Sequence, residues 1–282
     1  MEKISFINQK AQPLFEAILD FRPTLNFNIL KSALRKKDIK VNDVKVKDNL
    51  LLTIGDKVEF YINSRKNKKI DVIFEDENIL IVFKPAGVET TLKDKTYLNS
   101  KSLEELVEAK ACHRLDKNTE GLVVLAKNSE SENCLIDAFK RQKIEKEYNA
   151  IVVGKINKNG EKFEDFIKKE QNSVKICSKN DKNAKIAKLS YKPIANKNDL
   201  YLLNVNLETG RTHQIRVQLS HHGIFVLGDE KYGDKEVNKK YKKRKQQLCA
   251  SKITFKKLDT ILKYLNEKSF EVKPTFKLED FI

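Results

Sequence analysis

A charged turn directly precedes an unbroken apolar run in the segment ACHRLDKNTEGLVVLAK, residues 111–127. The apolar run extends from Leu122 to Ala126, is rich in Val and Leu, and is entered through Gly121. Short runs of this composition are typical of strands that are buried on both faces. Because a buried strand fixes the turn before it, the carboxylate of Asp116 is held in place, as catalytic groups commonly are. Taken alone, however, an Arg-Leu-Asp turn is more often a surface ion pair.

The charge balance predicts a polyanionic partner. Lysine and arginine together number 56, and aspartate and glutamate 40, which gives a formal charge of +16. An excess of this size favours RNA or DNA as the partner, although a lysine-rich proteome would give the same balance. With 282 residues, of which 40% are hydrophobic, the chain can form one large domain with a small companion.

Several classes of protein are disfavoured by what the sequence lacks. No apolar run approaches the roughly 20 residues that span a bilayer, and polar residues interrupt the N-terminal segment where a signal peptide needs an apolar core. We therefore expect a cytoplasmic protein without a membrane segment. The four cysteines are scattered and form no closely spaced ligand pairs, so no metal site is predicted. The absence of glycine-rich nucleotide motifs disfavours nucleotide cofactors and phosphoryl transfer.

Residues 13–62 have the pattern of a small basic module. Helical periodicity extends over Phe15–Leu19 and Ile29–Ile39, and two strand-like segments follow, IKVNDVKV and KVEFYI. One face of the second helix is apolar, and the other carries four cations, namely Lys31, Arg35, Lys36 and Lys37. Such a helix can lie along a phosphate backbone, although an isolated basic stripe is more often a solvated face.

A resemblance to the S4 RNA-binding domain is carried by the run ALRKKDIKVNDVKVKDNLLLTIGDKVEFY. That family has a basic helix, a VNG-like turn and a Gly-Asp pair before the last strand. Here Asp43 replaces the turn glycine and Asp38 stands where glycine is frequent; Asp tolerates the left-handed conformation better than most residues. We predict an S4-like domain at residues 1–62, a polar linker at 63–69 and a larger domain at 70–282.

The larger domain mixes strand and helix patterns. Strand patterns occur in DVIF, NILIVF, EYNAIVVG, LSYKPI and DLYLLNVNLE. Helix patterns occur from Ser131 to Lys140 and in ETGRTHQIRVQLSHHG, which Gly223 terminates. The Lys- and Asn-rich segment from Ile156 to Lys188 is predicted to be an exposed excursion, at most a hairpin.

One carboxylate, Asp116, remains as the candidate for chemistry, together with arginines and a tyrosine near predicted strands. An aspartate with an ordinary pKa of about 3.9 is an anion at pH 7 and can act as a nucleophile or a base. If burial removes the carboxylate from water, a neighbouring cation must keep it ionised. Arg211 is the leading candidate for that cation.

Four ordered segments resemble the motifs of the RluA-type pseudouridine synthases. They are VIFEDENILIVFKPAG, HRLDKNTEGLVVLAK, EYNAIVVG and LETGRTHQIRVQLSHHGIFVLGDEKYG, and LCASKITF resembles a weaker final motif. The resemblance covers most of the chain, and an S4 domain in front is a familiar arrangement in this family. It implies an α+β fold, built on a large mixed, mainly antiparallel sheet with a central cleft that holds Asp116.

The resemblance also implies roles for individual residues. Asp116 would be the essential aspartate that initiates cleavage of the uridine N-glycosidic bond, and Arg211 would pair with it. Tyr148 would stack on the target base, with core packing as the alternative. Arg114 would fill the gap left by a flipped-out nucleotide, and Ile253 would line an apolar base pocket, again with core packing as the alternative. Supporting roles are expected for His113, Thr119, Gln214 and Arg216. His213, His221 and His222 lack metal-ligand spacing, so hydrogen-bonded structural roles are expected for them.

The predicted function is therefore that of an RNA pseudouridine synthase, an isomerase that requires no cofactor. Members with an S4 domain mostly act on large-subunit (23S) ribosomal RNA, so ribosomal RNA is the first expected substrate and transfer RNA the second. A non-catalytic RNA-binding or ribosome-assembly factor on the same fold would have lost Asp116, Tyr148 or Arg211, and all three are present. A hydrolase that releases free base would need an activated water, for which neither a carboxylate pair nor a metal motif is found. We expect a monomer.

Overall fold

The chain divides into two units in the computed structural model, which describes residues 2–23, 25, 27–62, 70–92, 102–171 and 173–281. The N-terminal unit comprises Met1–Lys69 with Leu92–Lys101, and the large unit comprises Ile70–Thr91 with Ser102–Ile282. The predicted linker at 63–69 lies outside the described residues. Within the described parts of the chain, no helix is long and apolar enough to cross a membrane.

The N-terminal unit packs two short helices and small antiparallel sheets around a shared core. Its elements are β1 (Glu2–Ile7), β2 (Gln12–Pro13), α1 (Leu14–Phe21), α2 (Phe27–Arg35), β3 (Ile39–Val41), β4 (Val44–Lys45), β5 (Leu51–Leu52) and β6 (Lys57–Ile62). One sheet has the strand order β1-β6-β3-β4, and β2 pairs with β5. Helix α1 is amphipathic, because its apolar side chains recur on one buried face, formed by Leu14, Phe15, Ala17 and Ile18.

Left-handed residues reverse the chain in this unit. Lys37 has a φ of 59°, and α2 ends at Arg35, before the predicted end at Ile39. Asn42 and Asp43 have φ values of 51° and 66° and connect β3 to β4. Positive φ at both central residues is the geometry of a type I′ hairpin turn. The prediction that Asp43 tolerates the left-handed conformation is confirmed.

The basic face predicted in the N-terminal unit is exposed to solvent. Lys31 and Arg35 lie on α2, and Lys36 and Lys37 follow its last turn; all four are exposed. The opposite side of the helix is buried through Leu30, Ala33 and Leu34. The helix therefore has the amphipathic character that the sequence predicts.

A twelve-stranded sheet organises the large unit. Its strands are β7 (Asp71–Glu75), β8 (Ile79–Lys84), β9 (Lys110–Ala111), β10 (Glu120–Ala126), β11 (Ile144–Gly154), β12 (Glu161–Lys169), β13 (Val174–Cys177), β14 (Lys185–Lys197), β15 (Leu200–Leu207), β16 (Ile224–Val226), β17 (Leu248–Phe255) and β18 (Ser269–Glu271). Its helices are α3 (Leu103–Val107), α4 (Ser129–Lys140), α5 (Gln214–His221) and α6 (Lys235–Lys240), with 3₁₀ turns at Thr260–Leu265 and Leu278–Asp280.

The strand order β13-β12-β14-β15-β11-β17-β10-β8-β7 places the predicted buried strand, β10, well inside the sheet. All seven residues of β10 are buried. It pairs antiparallel with β8 and parallel with β17, and every other strand pairing among the described residues is antiparallel. A Cβ on Gly121, which has a φ of 116°, would lie 2.3 Å from the Ala250 carbonyl oxygen, so only glycine fits this approach. The predicted mixed, mainly antiparallel sheet is confirmed.

The two faces of β10 enter different cores. Val123 and Leu125 join one large hydrophobic cluster, and Leu122 and Val124 join another that α4 and the Thr260–Leu265 turn cover. Side chains that alternate along a strand point to opposite faces. Burial on both faces fixes the strand and, with it, the turn that contains Asp116.

The segment from Ile156 to Lys188 is more than an exposed excursion. It contributes β12, β13 and the start of β14 to the main sheet. Phe163, Ile167 and Val174 are buried in cores of the large unit. The prediction of a peripheral segment was wrong, because the lysines and glutamates on the outer face masked apolar residues that are spaced widely along the strands.

Candidate active site

A cleft of about 400 Å³ in the large unit collects the polar residues of the central motifs. Its wall includes Arg114, Asp116, Tyr148, Arg211, His213 and Arg216. These residues come from the turn before β10, from β11, and from the start of α5 with the loop before it. The predicted catalytic residues and Arg114 therefore line one cleft, and Ile253 does not. The predicted RNA-binding cations of the N-terminal unit, which are Lys31, Arg35, Lys36 and Lys37, are not part of this cleft.

The turn that carries Asp116 is fixed by hydrogen bonds on both sides. Leu115 is buried, its N–H donates to Thr90 Oγ1 at 3.2 Å, and the Thr90 hydroxyl donates back to the Leu115 carbonyl at 3.1 Å. The Lys117 carbonyl accepts from the Lys84 ammonium at 3.2 Å. Lys84 is completely buried, and its ammonium also donates to Val88 O at 2.8 Å. Buried polar groups that are hydrogen-bonded in this way rigidify a loop.

The cation that pairs with Asp116 is Arg216. Its Nη1 donates to Asp116 Oδ2 at 2.8 Å. The same guanidinium holds Asp229 through two further bonds, Nε to Oδ2 at 2.6 Å and Nη2 to Oδ1 at 2.9 Å. A fork of this kind orients a guanidinium as well as binding it. Asp229 thus positions Arg216, and Arg216 positions Asp116.

The prediction that Arg211 pairs with Asp116 is corrected by this geometry. Arg211 lines the cleft, but its Nε donates to the Ile186 carbonyl at 3.2 Å and its backbone N–H to Gln214 Oε1 at 2.9 Å. Helix α5 begins at Gln214, so Arg211 lies in the preceding loop, whereas Arg216 lies on the first turn of the helix. Both arginines lie in the same motif. The position at which α5 begins determines that Arg216, and not Arg211, faces Asp116.

Electrostatics favour the charged forms of this ion-pair system. Burial alone would lower the pKa of Arg216, but the hydrogen bonds and charge of Asp229, and then the charge of Asp116, raise it. Burial alone would raise the pKa of Asp229, but the Arg216 hydrogen bonds and charge lower it. Backbone N–H groups of Lys231 and Tyr232 add two more donors to the Asp229 carboxylate. The Arg216–Asp229 pair is therefore ionised around neutral pH.

Tyr148 forms the apolar side of the cleft. It lies on β11, is 6% exposed and packs in the same core as Leu207, Leu248 and Ala250. Burial, followed by the charges of Asp116 and Cys249, raises the pKa of Tyr148. Its hydroxyl consequently stays protonated at neutral pH. Its position beside Asp116 fits the predicted contact with a base.

The other polar residues at the cleft divide into exposed and structural groups. Arg114 is exposed and lines the cleft. His113 Nε2 accepts from the Val124 N–H at 2.9 Å, and its ring packs 4.4 Å from Phe139. Burial, with the charge of Lys146, lowers the pKa of His113 to about 3, so its ring is neutral. His113 is a structural residue, as predicted.

Ile253 does not line the cleft, which corrects the predicted base pocket. It is 1% exposed and belongs to the core that contains Leu122 and Phe255. A bulge in β17 shifts the pairing with β11 at this point, because Glu147 faces Lys252 while Tyr148 faces Ala250. Leu248 supplies apolar cleft surface from the same strand.

Some site residues were missed from the sequence. Asp229 acts through the Arg216 side chain, whereas Thr90 and Lys84 bind backbone groups of the Asp116 turn. Lys84 and Asp229 lie within the quoted motif segments, but nothing in their local sequence indicates these contacts. Lys146 was detectable, because it precedes Tyr148 by one strand period and therefore points the same way. Burial, and the charge of Arg211, lower the pKa of Lys146.

One group of ligand-type side chains in the described parts of the chain could hold a metal ion. It consists of Asp165, His221 and His222. His222 Nε2 lies 3.2 Å from Asp165 Oδ2, which also accepts from Gln218 at 2.7 Å. Spacing along the chain could not reveal this group, because β12 and α5 bring it together. None of its members lines the cleft.

Comparisons with known proteins agree with this fold. A protein-family profile described as RNA pseudouridylate synthase matches residues 78–221. The chain is 34% identical to "Ribosomal large subunit pseudouridine synthase C" of Rickettsia felis, over 76% of this chain and 79% of that protein. It is 35% identical to an "Uncharacterized RNA pseudouridine synthase" of Mycoplasma capricolum, over 93% of both chains. The fold resembles the structure titled "Human RNA Pseudouridylate Synthase Domain Containing 4", with a TM-score of 0.58 and 21% identity, over 74% of this chain and 90% of that one.

These matches place the chain in the RNA pseudouridylate synthase family. It is an RNA pseudouridine synthase, an isomerase that converts uridine to pseudouridine within RNA. The predictions of family and enzyme class are confirmed. The S4-like identity of the N-terminal unit stays a prediction.

Proposed function

We propose that the protein isomerises specific uridines in large-subunit ribosomal RNA. The proteins of Rickettsia felis and Borreliella burgdorferi that it resembles are named ribosomal large subunit pseudouridine synthases C and D, at 34% and 32% identity. The observation that carries the proposed chemistry is the contact of Asp116 with Arg216 in a cleft that also contains Tyr148. Transfer RNA is the alternative substrate.

The cleft supports a reaction that begins at an ionised aspartate. The Asp116 side chain is 21% exposed, so the carboxylate is partly removed from water yet open to a ligand. Arg216 compensates the lost hydration with a charge-assisted hydrogen bond. Addition to the sugar, addition to the base and removal of a sugar proton all require this charged carboxylate. Arg216 therefore prepares Asp116 for any of these steps.

Access to the glycosidic bond requires the uridine to leave its stack. Extrusion of a nucleotide costs a few kcal/mol, which contacts to the flipped base and to the remaining stack must offset. Tyr148 supplies an aromatic side chain to the cleft lining, and exposed Arg114 lines the same cleft. We assign Tyr148 to contact with the base and Arg114 to the gap in the RNA. The base can then turn and rejoin the ribose through C5.

Binding of the surrounding RNA is assigned to exposed basic surfaces. The N-terminal unit has the S4-like order of basic helix, tight turn and final strand, and its four exposed cations are Lys31, Arg35, Lys36 and Lys37. In the large unit, residues 239–245 contain further exposed cations, which are Lys239, Lys240, Lys242, Arg244 and Lys245. Cations of this kind bind phosphates without reading sequence. We propose a monomer that acts in the cytoplasm.

The first test of the proposed function is release of tritium from RNA labelled at uridine C5. The wild-type protein should release tritium from ribosomal RNA, and Asp116→Asn should abolish release while RNA binding is retained. Asp199→Asn is the matched control, because Asp199 is 80% exposed and lies outside the cleft. Activity that survives in Asp116→Asn would refute the role of Asp116.

The substrate is tested by mapping pseudouridines in a strain that lacks the protein. Carbodiimide-stop sequencing should show loss of sites in large-subunit ribosomal RNA and their return with the wild-type gene. Loss confined to transfer RNA would establish the alternative substrate. An unchanged map, together with no tritium release from either RNA, would instead favour the non-catalytic RNA-binding factor.

A further inference from the structure

His213 lies next to the second oxygen of the Asp116 carboxylate. Arg216 binds Oδ2, whereas His213 Nε2 is 3.8 Å from Oδ1. His213 directly precedes α5 and has a φ of 53°. A left-handed residue other than glycine is uncommon and indicates that surrounding contacts determine its conformation. The contacts of the His213 ring show which neighbours hold it.

The Tyr232 hydroxyl contacts Nδ1 of His213 and so bears on which ring nitrogen carries the proton. The Val174 N–H donates to the Tyr232 hydroxyl oxygen at 3.0 Å. That hydroxyl lies 3.0 Å from His213 Nδ1 and can use its own O–H to donate to this nitrogen. Nδ1 then acts as an acceptor, so the proton of the neutral ring is on Nε2. In this arrangement the Val174 N–H, the Tyr232 hydroxyl and His213 Nδ1 each have a hydrogen-bond partner.

The ring is neutral in this environment. The charged groups that act on it are Asp116, Asp229, Arg216 and Lys231. Burial lowers the pKa of His213, and the opposing charge of Asp116 does not reverse this effect. A neutral ring with its proton on Nε2 presents an N–H donor to the carboxylate, without adding a second positive charge.

We propose that His213 is a positioning residue for Asp116, which donates its Nε2–H to Oδ1 when RNA fills the cleft. The separation of 3.8 Å exceeds hydrogen-bond length, and catalytic hydrogen bonds often tighten only in the substrate complex. Asp116 is then held from both sides, by Arg216 at Oδ2 and by His213 at Oδ1. This orients the carboxylate toward the uridine.

Tyr232 also contacts the residues on the other side of Asp116. It donates its backbone N–H to Asp229 Oδ1 at 3.1 Å, and the Arg216 guanidinium lies 5.1 Å from its ring centre. Tyr232 therefore contacts both His213 and Arg216, the two residues next to the Asp116 carboxylate. Val174 is on β13, so the β12–β13 hairpin supports the active site through Tyr232. That support gives a function to a segment that the sequence indicates only as an excursion.

The inference rests on the proposed function only in assuming that Asp116 acts on uridine. Single-turnover tritium release measures the rate of that reaction. His213→Phe removes both ring nitrogens and should slow release about 10- to 100-fold, the range for loss of one hydrogen bond to a charged group. His213→Gln, which keeps an N–H donor, should recover most of that loss. Tyr232→Phe should lose about 3- to 10-fold, the range for a neutral hydrogen bond. His221→Phe, on the outer end of α5, is the matched control and should match the wild type.

Two readouts separate positioning from a general effect on folding. The dissociation constant for RNA should stay within about threefold of the wild type in each variant, because contacts to phosphates, which these variants keep, supply most of the affinity. The nitrogen-15 spectrum of the free protein should show His213 with its proton on Nε2, and Tyr232→Phe should relax that preference. This spectrum needs no substrate, so it remains decisive if ribosomal RNA is the wrong RNA. A proton on Nδ1, a His213→Phe rate within twofold of wild type, or equal losses in His213→Phe and His213→Gln would each overturn the inference.

Discussion

Arg216 is predicted to stabilise the fold and to activate Asp116 through separable contacts. Its guanidinium makes three charge-assisted hydrogen bonds, two to Asp229 and one to Asp116. The Asp229 side chain is only 1% exposed, so Arg216→Met would leave a buried carboxylate without its cation. Removal of one partner from a buried ion pair typically costs about 3–5 kcal/mol. We expect a loss of this size in the free energy of unfolding, measured by urea denaturation at pH 7.

Adding Asp229→Asn to Arg216→Met separates the two roles. Replacing both members of a buried pair is far less costly than removing one, so the double variant should recover most of the lost stability. It should not recover activity, because Asp116 still lacks its cation. Single-turnover tritium release should therefore remain reduced by about 100-fold or more, the range for removal of a preorganised electrostatic partner. Activity that returns together with stability would refute the direct role of Arg216.

The pH dependence of stability provides an independent check. Arg216 lowers the pKa of Asp229 in the folded wild type, against the effect of burial. The stability from this pair is therefore present above the unfolded pKa of about 3.9 and is lost as pH falls through the folded value. In Arg216→Met, unopposed burial should raise the pKa of Asp229 in the folded state. Protonation of Asp229 at lower pH should then stabilise the variant relative to its state at pH 7. The stability difference between wild type and variant should shrink as pH decreases from 7 toward 4, and a constant difference would contradict this account.

Three further predictions concern the base, the sheet and the RNA. Tyr148→Phe should retain more single-turnover activity than Tyr148→Leu, because base–aromatic stacking contributes about 1–3 kcal/mol and needs only the ring; equal losses would argue against stacking. Gly121→Ala should lower the free energy of unfolding by more than about 3 kcal/mol, because its Cβ would collide with the Ala250 backbone. Gly55→Ala, with no atom within 4 Å, should cost only about 1–2 kcal/mol. Replacing the four cations Lys31, Arg35, Lys36 and Lys37 by Gln should reduce the salt slope of RNA binding by up to about three, whereas the same change at Lys162, Lys179, Lys182 and Lys192 should alter it less.

The sequence predicted best where one local pattern determines the structure. The buried strand after Asp116 was predictable because every residue from Leu122 to Ala126 is apolar. The strand begins earlier than predicted, at Glu120, whose buried carboxylate accepts from Thr275 N and Oγ1 at 2.7 Å each. The hairpin turn at Asn42-Asp43 was predictable because both residue types tolerate positive φ. In such cases neighbouring residues along the chain carry most of the information.

Prediction failed where the decisive contact joins distant segments. The choice of Arg216 over Arg211 depends on where α5 begins and on Asp229, which lies 13 residues after Arg216, beyond the rest of α5 and β16. The position of Ile253 depends on a bulge in the pairing of β17 with β11. Neither the start of the helix nor the bulge has a residue signature as strong as that of a glycine in a turn.

The same reasoning explains why the β12–β13 hairpin was undervalued. Its contribution to the site is a backbone N–H, that of Val174, and a backbone donor leaves no trace in the identity of the side chain. Shortening the β12–β13 hairpin would remove the Val174 N–H that donates to the Tyr232 hydroxyl, without altering any motif residue. A variant shortened in this way should resemble Tyr232→Phe, with slower tritium release and unchanged affinity for RNA. Sensitivity of the reaction to a segment without motif residues would show that the active site extends across the sheet to its β13 edge.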